Sequence, residues 1–341
     1  MNLLGIDTSF DDTAAAVVAD GRTILSNVVS SRLELHEHFG GIVPEVAFRE
    51  HVLRIQTVVE EALARANTPL DKLDAVAVTY GPGLLGSLMV GVSFARALAV
   101  GRGLPTVLVN HLEGHLYSPF LSDGAEPRFP HCAMIVSGGH TSLYRVEAWG
   151  KYTMLGNSRD DAAGEAFDKV AKFLGLGYPG GPIVDQYAQR AKAGLPDLPR
   201  PMLHSDDYDF SFSGLKTAVI ARLVKAEKDR ETIPAEDVCR GVLEAVVEVL
   251  TSKAMAAALD HGLSQLTLSG GVAANATLRD ALAREAEKQG IEFLAAPRTL
   301  ATDNAAMIAG VGWHLLSARG PSPLDQDVMA RLPLGPRESH P

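Results

Sequence analysis

The chain has 341 residues, roughly two domains at ~150 residues each. With 46% apolar and 21% charged residues it can bury a sizeable core, and 32 glycines and 19 prolines are too few for a collagenous or low-complexity chain, so wholesale disorder is excluded. Lysine and arginine number 31 against 41 acids, a net charge of −10, so there is no broad basic face for nucleic acid and any such contact is a local patch or shared with a partner.

The N-terminus MNLLGIDTSFDD carries acids where a signal peptide needs an apolar stretch. Leu3–Ile6 reads as a strand, followed by a polar turn from Asp7 to Asp12. Two further apolar runs, 14–19 and 24–29, follow at hairpin spacing. Residues 45–66 have helical periodicity, with Val52, Ile55, Val59 and Leu63 on one side. Residues 75–78 form a short buried strand, broken by Gly81-Pro82-Gly83. The most apolar stretch, 84–100, carries Arg96 and several glycines and reads as a buried helix rather than a membrane span. A strand at 106–109 and a helical stretch at 111–120 close this part.

At His131 the pattern restarts. A strand over 132–136 ends in Ser137-Gly138-Gly139-His140-Thr141, and strands follow at 142–146 and 152–155. Helices are predicted at 163–174, 182–193, 215–228 and 235–261, then a strand at 266–268, a helix from about Ala273, a strand at 292–295 and a helix at 304–317. The chain therefore reads as two copies of a mixed α/β unit, 1–130 and 131–319, facing each other across a cleft, with ligands where strands end and glycine-rich turns begin. Residues 320–341 hold five prolines and read as a loose tail. The two cysteines, Cys132 and Cys239, are too few for a disulfide scaffold or a four-thiolate zinc site and fit a reducing cytosol.

His111-Leu-Glu-Gly-His115 is the sharpest local signal. On a helix these imidazoles lie on one face, one turn apart, and can share a transition metal; the alternative is two histidines capping or lining a helix. Glu113 falls about 200° around the helix from each histidine, away from any metal, which disfavours a zinc-protease reading. Two glycine turns, 137–139 and Ser269-Gly270-Gly271, stand at strand ends and offer backbone amides to an anion, with Asn275 in the helix turn that follows the second; a plain hairpin turn is the alternative for the first. Asp7, Asp11 and Asp12 crowd the first turn, where solvated acids are the ordinary outcome. Asp160 or Asp161 reads as the N-cap of a helix that also carries Asp168, and Asp303 as the N-cap of the last helix or a third metal ligand.

Taken in order, GIDTSFDDT, GGIVPEVA, GPGLLGSL, NHLEGH, VSGGHT, DDAAGEAFDKVAKFLGLGYPGGP, DFSFSGLKTA, SGGVAANATLR and TDNAAMIA span the chain from Met1 to about Gly310. These strings resemble the TsaD/Gcp/YgjD family of tRNA adenosine threonylcarbamoyltransferases. The resemblance implies an α/β, duplicated actin/Hsp70-like fold and a cytoplasmic acyltransferase without membrane attachment. Such an enzyme moves a threonylcarbamoyl group from threonylcarbamoyl-AMP to N6 of adenosine 37 in tRNAs reading ANN codons. It implies TsaB-like and TsaE-like partners, and one divalent metal per subunit, iron(II) with zinc(II) as the alternative. By position, His111, His115 and Asp303 match the metal ligands; Ile135, Val136, Ser137, Gly138, Gly139, Asp168, Gly181, Asp185 and Asn275 match the residues that hold the adenylate; and Asp11 matches an acid implicated in activity. The family usually reads GIETSCDET at the start, so Asp7, Phe10 and Asp12 stand here for Glu, Cys and Glu. A sugar or acetate kinase of the same superfamily, a metalloprotease and a non-enzymatic scaffold are the rival classes; of these, the scaffold would lack the metal ligands.

Overall fold

Short runs of alanine and β-branched residues pair into strands at the N-terminus of the computed structural model, which describes residues 1–32, 34–37, 39, 41–121 and 125–338. β1 (Asn2–Asp7), β2 (Thr13–Ala19) and β3 (Thr23–Ser30) form an antiparallel meander. After a short helix α1 (Glu34–Glu37) and the long α2 (Pro44–Arg65), β4 (Ala75–Gly81) and β5 (Thr106–Asn110) extend the sheet in parallel, giving the order β3-β2-β1-β4-β5. Alternate residues of these strands feed two cores, as a sheet covered on both faces requires. Leu4, Ile6, Ala15 and Val17 pack with α2 and with α3 (Leu85–Arg102), while Leu3, Ala14, Ala16 and Val18 pack under α11 (Ala305–Arg319). The backbone of α11 comes so close to β1 that a side chain at Gly5 would collide with the Ala305 carbonyl. β5 runs directly into α4 (His111–Tyr117).

The second sheet repeats the scheme. β6 (His131–Val136), β7 (Thr141–Ala148) and β8 (Lys151–Asn157) come first, and β9 (Gln265–Ser269) and β10 (Glu292–Ala295) follow, with β6, β9 and β10 parallel. The order β8-β7-β6-β9-β10 matches β3-β2-β1-β4-β5 strand for strand. Between β8 and β9 lie α5 (Ala163–Phe173), α6 (Gly180–Ala188), α7 (Ser213–Lys228) and α8 (Ala235–Asp260), and α9 (Ala276–Lys288) links β9 to β10. A short α10 (Arg298–Ala301) precedes α11.

The expected division into 1–130, 131–319 and a tail differs from the contacts. One compact unit comprises Met1–Pro127, Glu147–Tyr152 and Ala296–Pro336; the other comprises Arg128–Val146, Thr153–Ala295 and Arg337. The reason is α11, whose Ala305, Ala306, Met307, Ile308, Ala309 and Val311 are buried against the first sheet. The tail is not loose either. Ser322 N donates to Thr106 O at 2.8 Å, Met329 N to Tyr80 O at 2.8 Å and Gly83 N to Ala330 O at 3.2 Å, and Arg96 bonds the Gln326 carbonyl. Proline-rich chain without side-chain periodicity gives no signal of such backbone pairing. Residues 339–341 of the expected tail lie outside the described residues.

Two helical faces also differ. Val52 is 54% exposed, because α2 buries Ala47, His51, Ile55, Val58, Val59, Ala62 and Leu63 instead. The helix at 84–100 is buried along one stripe only, with Leu88, Val92, Ala95 and Ala99 inward and Leu85, Met89 and Val100 exposed. By length and composition α3 is the one described helix apolar enough to cross a membrane, and that stripe packs on the sheet.

Candidate metal centre and nucleotide loops

α4 begins on a side-chain cap: Asn110 Oδ1 accepts from Leu112 N at 2.9 Å. Starting the helix there puts His111 and His115 on one buried face, with ring centroids 4.7 Å apart. Asp303, in the turn before α11, faces both: its Oδ1 lies 3.5 Å from His111 Nε2 and 3.2 Å from His115 Nε2. The three ligand atoms lie within 4.8 Å of one another, close enough to share one ion. Asp303 is therefore free for this role, because the N-cap of α11 is Asn304, whose Oδ1 accepts from Met307 N at 3.0 Å.

The donor set fits a metal. His115 is wholly buried, yet neither ring nitrogen makes a well-formed hydrogen bond among the described residues, an arrangement that costs stability unless an ion takes the lone pair. Burial pushes His115 below its ordinary pKa, toward the neutral form that ligates. For His111 burial acts the same way, but the Asp303 and Asp7 carboxylates outweigh it and raise the value to about 10. Asp303 is held below the carboxylate range by the two histidines despite its burial. Two nitrogens and one carboxylate leave coordination positions open, as a catalytic rather than a structural site does.

Asp11 stands in the turn after β1. Burial raises its pKa, and the charge of Asp303 adds to the rise. Asp12 is pushed up to about 7, first by burial and then by Asp11, Asp303 and Asp7, with a hydrogen bond from Ser31 opposing. These acids are therefore not merely solvated. His51 fastens the same turn from α2: its Nε2 donates to Phe10 O at 2.9 Å and Thr13 Oγ1 lies 2.8 Å from its Nδ1. Glu113 points away from the histidines, as its spacing requires, and is buried with a hydrogen bond from Tyr152.

The second unit carries the glycine loops. β6 and β9 are parallel neighbours with Ile135 opposite Ser269, so turns 137–139 and 269–271 leave the same sheet end side by side. Ile135 and Val136 are fully buried, so only their main chain borders the loop; Gly138 and Gly139 are exposed, and nothing crowds their Cα atoms. Ser137 N donates to His140 O at 2.7 Å, which closes the loop as a tight turn. Gly270 has φ +92°, and a side chain there would strike Val136 O. The start of α5 leans on the first loop: Gly164 N donates to Ser137 O at 3.2 Å, and a Cβ at Gly164 would stand 2.6 Å from that oxygen.

The cap of α5 differs from expectation. Its N-cap is Ala162, and Thr141 Oγ1 accepts from Ala163 N at 2.9 Å. Asp160 instead caps α7, accepting from Phe212 N at 2.8 Å and Ser213 N at 3.2 Å, and Asp161 pairs with Lys169 at 2.6 Å. Asp168 accepts from Gly180 N at 2.6 Å, fixing the start of α6; burial lifts its pKa to about 6 against that bond. Gly181 is open, and Asp185 on α6 keeps a buried Oδ1 without a partner among the described residues. Asn275 is the N-cap of α9, its Oδ1 accepting from Leu278 N at 2.9 Å, so it stands one residue before the expected helical turn. The unit thus gathers exposed loop amides and the N-termini of α5, α6 and α9, the groups that bind phosphate.

Sequence reasoning placed Asp7 in the first turn and Thr141 in the first loop without their contacts to His111 and Ala163, and missed Ser9, His51, Gly164 and Asn110. Of the missed residues Asn110, an Asx residue directly before the HLEGH helix, carried a local signal as its N-cap.

The fold is shared with structures of low sequence similarity. A crystal structure of component A of (R)-2-hydroxyglutaryl-CoA dehydratase from Acidaminococcus fermentans superposes with a TM-score of 0.57 at 16% identity, covering 93% of this chain and 99% of that one. Full-length HypF in its phosphate- and nucleotide-bound form gives a TM-score of 0.60 at 12% identity, covering 94% of this chain and 47% of that one. The architecture is the duplicated actin/Hsp70-like one. Sequence relatives are far nearer. A tRNA N6-adenosine threonylcarbamoyltransferase of Anaeromyxobacter sp. is 51% identical over 97% of this chain and all of its own length, and that of Geobacillus thermodenitrificans is 50% identical over 97% and 96%. The family model described as "TsaD: tRNA N6-adenosine threonylcarbamoyltransferase" matches residues 23–310. With the family model matching most of its length and relatives about 50% identical over nearly all of it, the chain belongs to the TsaD family of tRNA N6-adenosine threonylcarbamoyltransferases.

Proposed function

We propose that the chain transfers the threonylcarbamoyl group of threonylcarbamoyl-AMP to N6 of adenosine 37 in tRNAs reading ANN codons and releases AMP. The observation that carries the reading is the intact group of two buried histidines, His111 and His115, and the part-exposed Asp303 in a chain of this family. A sugar or acetate kinase of like fold has no need of it.

The donor is a mixed anhydride, so its acyl carbon is already activated and the protein's task is to position it and stabilise charge. Amides of Gly138 and Gly139, with the N-terminus of α9 at Asn275, receive the phosphate. Asp168 keeps the Gly180–Gly181 turn in shape, and Asp185 offers a carboxylate beside it. N6 attacks the carbamoyl carbon, the carbon–oxygen bond to phosphate breaks, and its electron pair leaves on AMP. Asp11 accepts the proton that N6 loses; a carboxylate with a raised pKa suits that work. His111, His115 and Asp303 would hold a divalent ion, iron(II) with zinc(II) as the alternative, which would supply Lewis-acid chemistry.

TsaB-like and TsaE-like proteins are the proposed partners in the cytoplasm. Phe48, Val52 and Leu53 on α2 and Leu85 and Met89 on α3 are exposed, and Phe48 packs against Gly86, so the two helices present one apolar surface for a TsaB-like chain. The test is reconstitution with threonylcarbamoyl-AMP, a tRNA transcript and both partners, reading modified adenosine and AMP together. Equal yields of the two products are expected; no modified adenosine from the metal-loaded protein with both partners would overturn the reading.

A further inference from the structure

The first metal ligand is itself held. His111 Nδ1 lies 3.2 Å from Asp7 Oδ2 and 3.1 Å from Ser9 Oγ, while its Nε2 faces Asp303. Asp7 and Ser9 are each 1% exposed, so these contacts are shielded from bulk solvent. The other oxygen of Asp7, Oδ1, accepts from Ser9 N at 3.0 Å. The turn bearing them is pinned from α3: Leu84 N donates to Ser9 O at 2.8 Å, and Thr8 Oγ1 donates to Ser87 O at 2.7 Å beside Gly91. The Phe10 ring stands edge-on to the imidazole, with centroids 5.3 Å apart. These contacts hold the His111 ring with Nδ1 toward Asp7 and Ser9 and Nε2 toward Asp303.

An ionised carboxylate only accepts hydrogen bonds, so the nitrogen it touches must carry the proton. A neutral imidazole has one N–H, which leaves the other nitrogen as the lone-pair donor. We propose that Asp7, braced by Ser9, is a positioning residue that accepts a hydrogen bond from the Nδ1–H of His111, fixes Nε2 as the ligating nitrogen and so sets metal affinity. This rests on the metal reading of His111, His115 and Asp303. It gives the departure at position 7 a function: with Leu84 and Ser87 fastening the turn, the shorter aspartate reaches Nδ1 directly.

The test uses the full chain loaded with zinc(II). In wild type, long-range proton–nitrogen spectra should show His111 protonated at Nδ1 and bare at Nε2. Asp7→Asn keeps the size but removes the charge, and should weaken zinc affinity at least tenfold, within the ~10–100-fold range for outer-shell partners. Asp7→Glu should bind zinc more weakly than wild type. Ser9→Ala should lose less than Asp7→Asn. Circular dichroism checks that each variant folds. Zinc affinity within twofold of wild type in Asp7→Asn, or zinc-loaded His111 protonated at Nε2, would overturn the proposal. His111→Ala separates the two readings: if it keeps full zinc content the metal site itself is wrong, whereas if it loses zinc while Asp7→Asn does not, only the role of Asp7 falls.

Discussion

Asp11 and Asp168 show how one residue type acquires different work from its surroundings. Asp11 has its pKa raised by burial and by Asp303, and Asp11→Asn keeps its size while removing its charge. A general base contributes typically ~10²–10⁴-fold, so single-turnover transfer should slow by that factor, about 3–5 kcal/mol of barrier. Calorimetric binding of a non-hydrolysable adenylate analogue should change by no more than a few-fold, because the proposed adenylate contacts are the glycine loops and not Asp11. Transfer at the wild-type rate would return Asp11 to a merely structural acid. Asp168 makes a pH prediction. Its folded pKa of about 6 lies above the ordinary carboxylate value, so the native state binds its proton more tightly than the unfolded chain does. Its contribution to stability is therefore fully present below pH ~4 and declines as pH rises to ~6. Denaturant midpoints of Asp168→Asn should show a shallower decline across that window than wild type; identical slopes would refute the assignment.

At the scale of elements, the site depends on where helices start. α4 starts at His111 because Asn110 caps it, and Asn110 Nδ2 also donates to Leu332 O at 3.3 Å. Asn110→Ala removes both bonds. A lost N-cap costs ~1 kcal/mol, and the melting temperature should fall together with zinc affinity, since the first turn carries His111. A fall in stability with unchanged zinc affinity would mean that the cap does not position the ligand. α5 reaches the first glycine loop only because Gly164 has no side chain: a Cβ would stand 2.6 Å from Ser137 O and 2.8 Å from Gly138 Cα. Both neighbours are backbone and cannot rotate away. Gly164→Ala should displace the loop at an overpacking cost of ~1–3 kcal/mol and weaken adenylate-analogue binding while leaving zinc content intact. Wild-type adenylate affinity in this variant would place the ligand elsewhere.

The whole molecule adds two constraints. Its net charge of −10 offers no general attraction for phosphate, so the isolated chain should bind tRNA weakly, with a shallow salt dependence, and should modify it only when the partner proteins are present. Efficient modification by the chain alone would contradict this. The C-terminal segment is a strap, and stopping the chain after Arg319 would expose Thr106 O, Tyr80 O and Gly83 N. Since Asn110 and Gly81 touch the strap beside α4, the truncated chain should melt several degrees lower and release zinc faster. An unchanged melting profile would show the strap to be dispensable.

Much of the protein was readable in its residues. Short apolar runs, glycine punctuation and the i, i+4 histidines are local signals, and they placed the strands of both sheets, most helices, the two glycine turns and the paired histidines of α4. Helix caps were less legible, because Asp160 and Asp303 satisfy the same local rule as Asn304 and Thr141; which side chain reaches which amide depends on segments distant in sequence. The tail, the return of α11 to the first sheet and the hold of Asp7 on His111 left no local mark. Asp7 ends β1 and His111 follows β5, 104 residues later, and they meet because β1, β4 and β5 are parallel neighbours ending on the same side. Sequence periodicity determines which residues form a strand and which face they present; the order in which strands pair, and hence which turns become neighbours, is decided by burying both faces of the sheet at once.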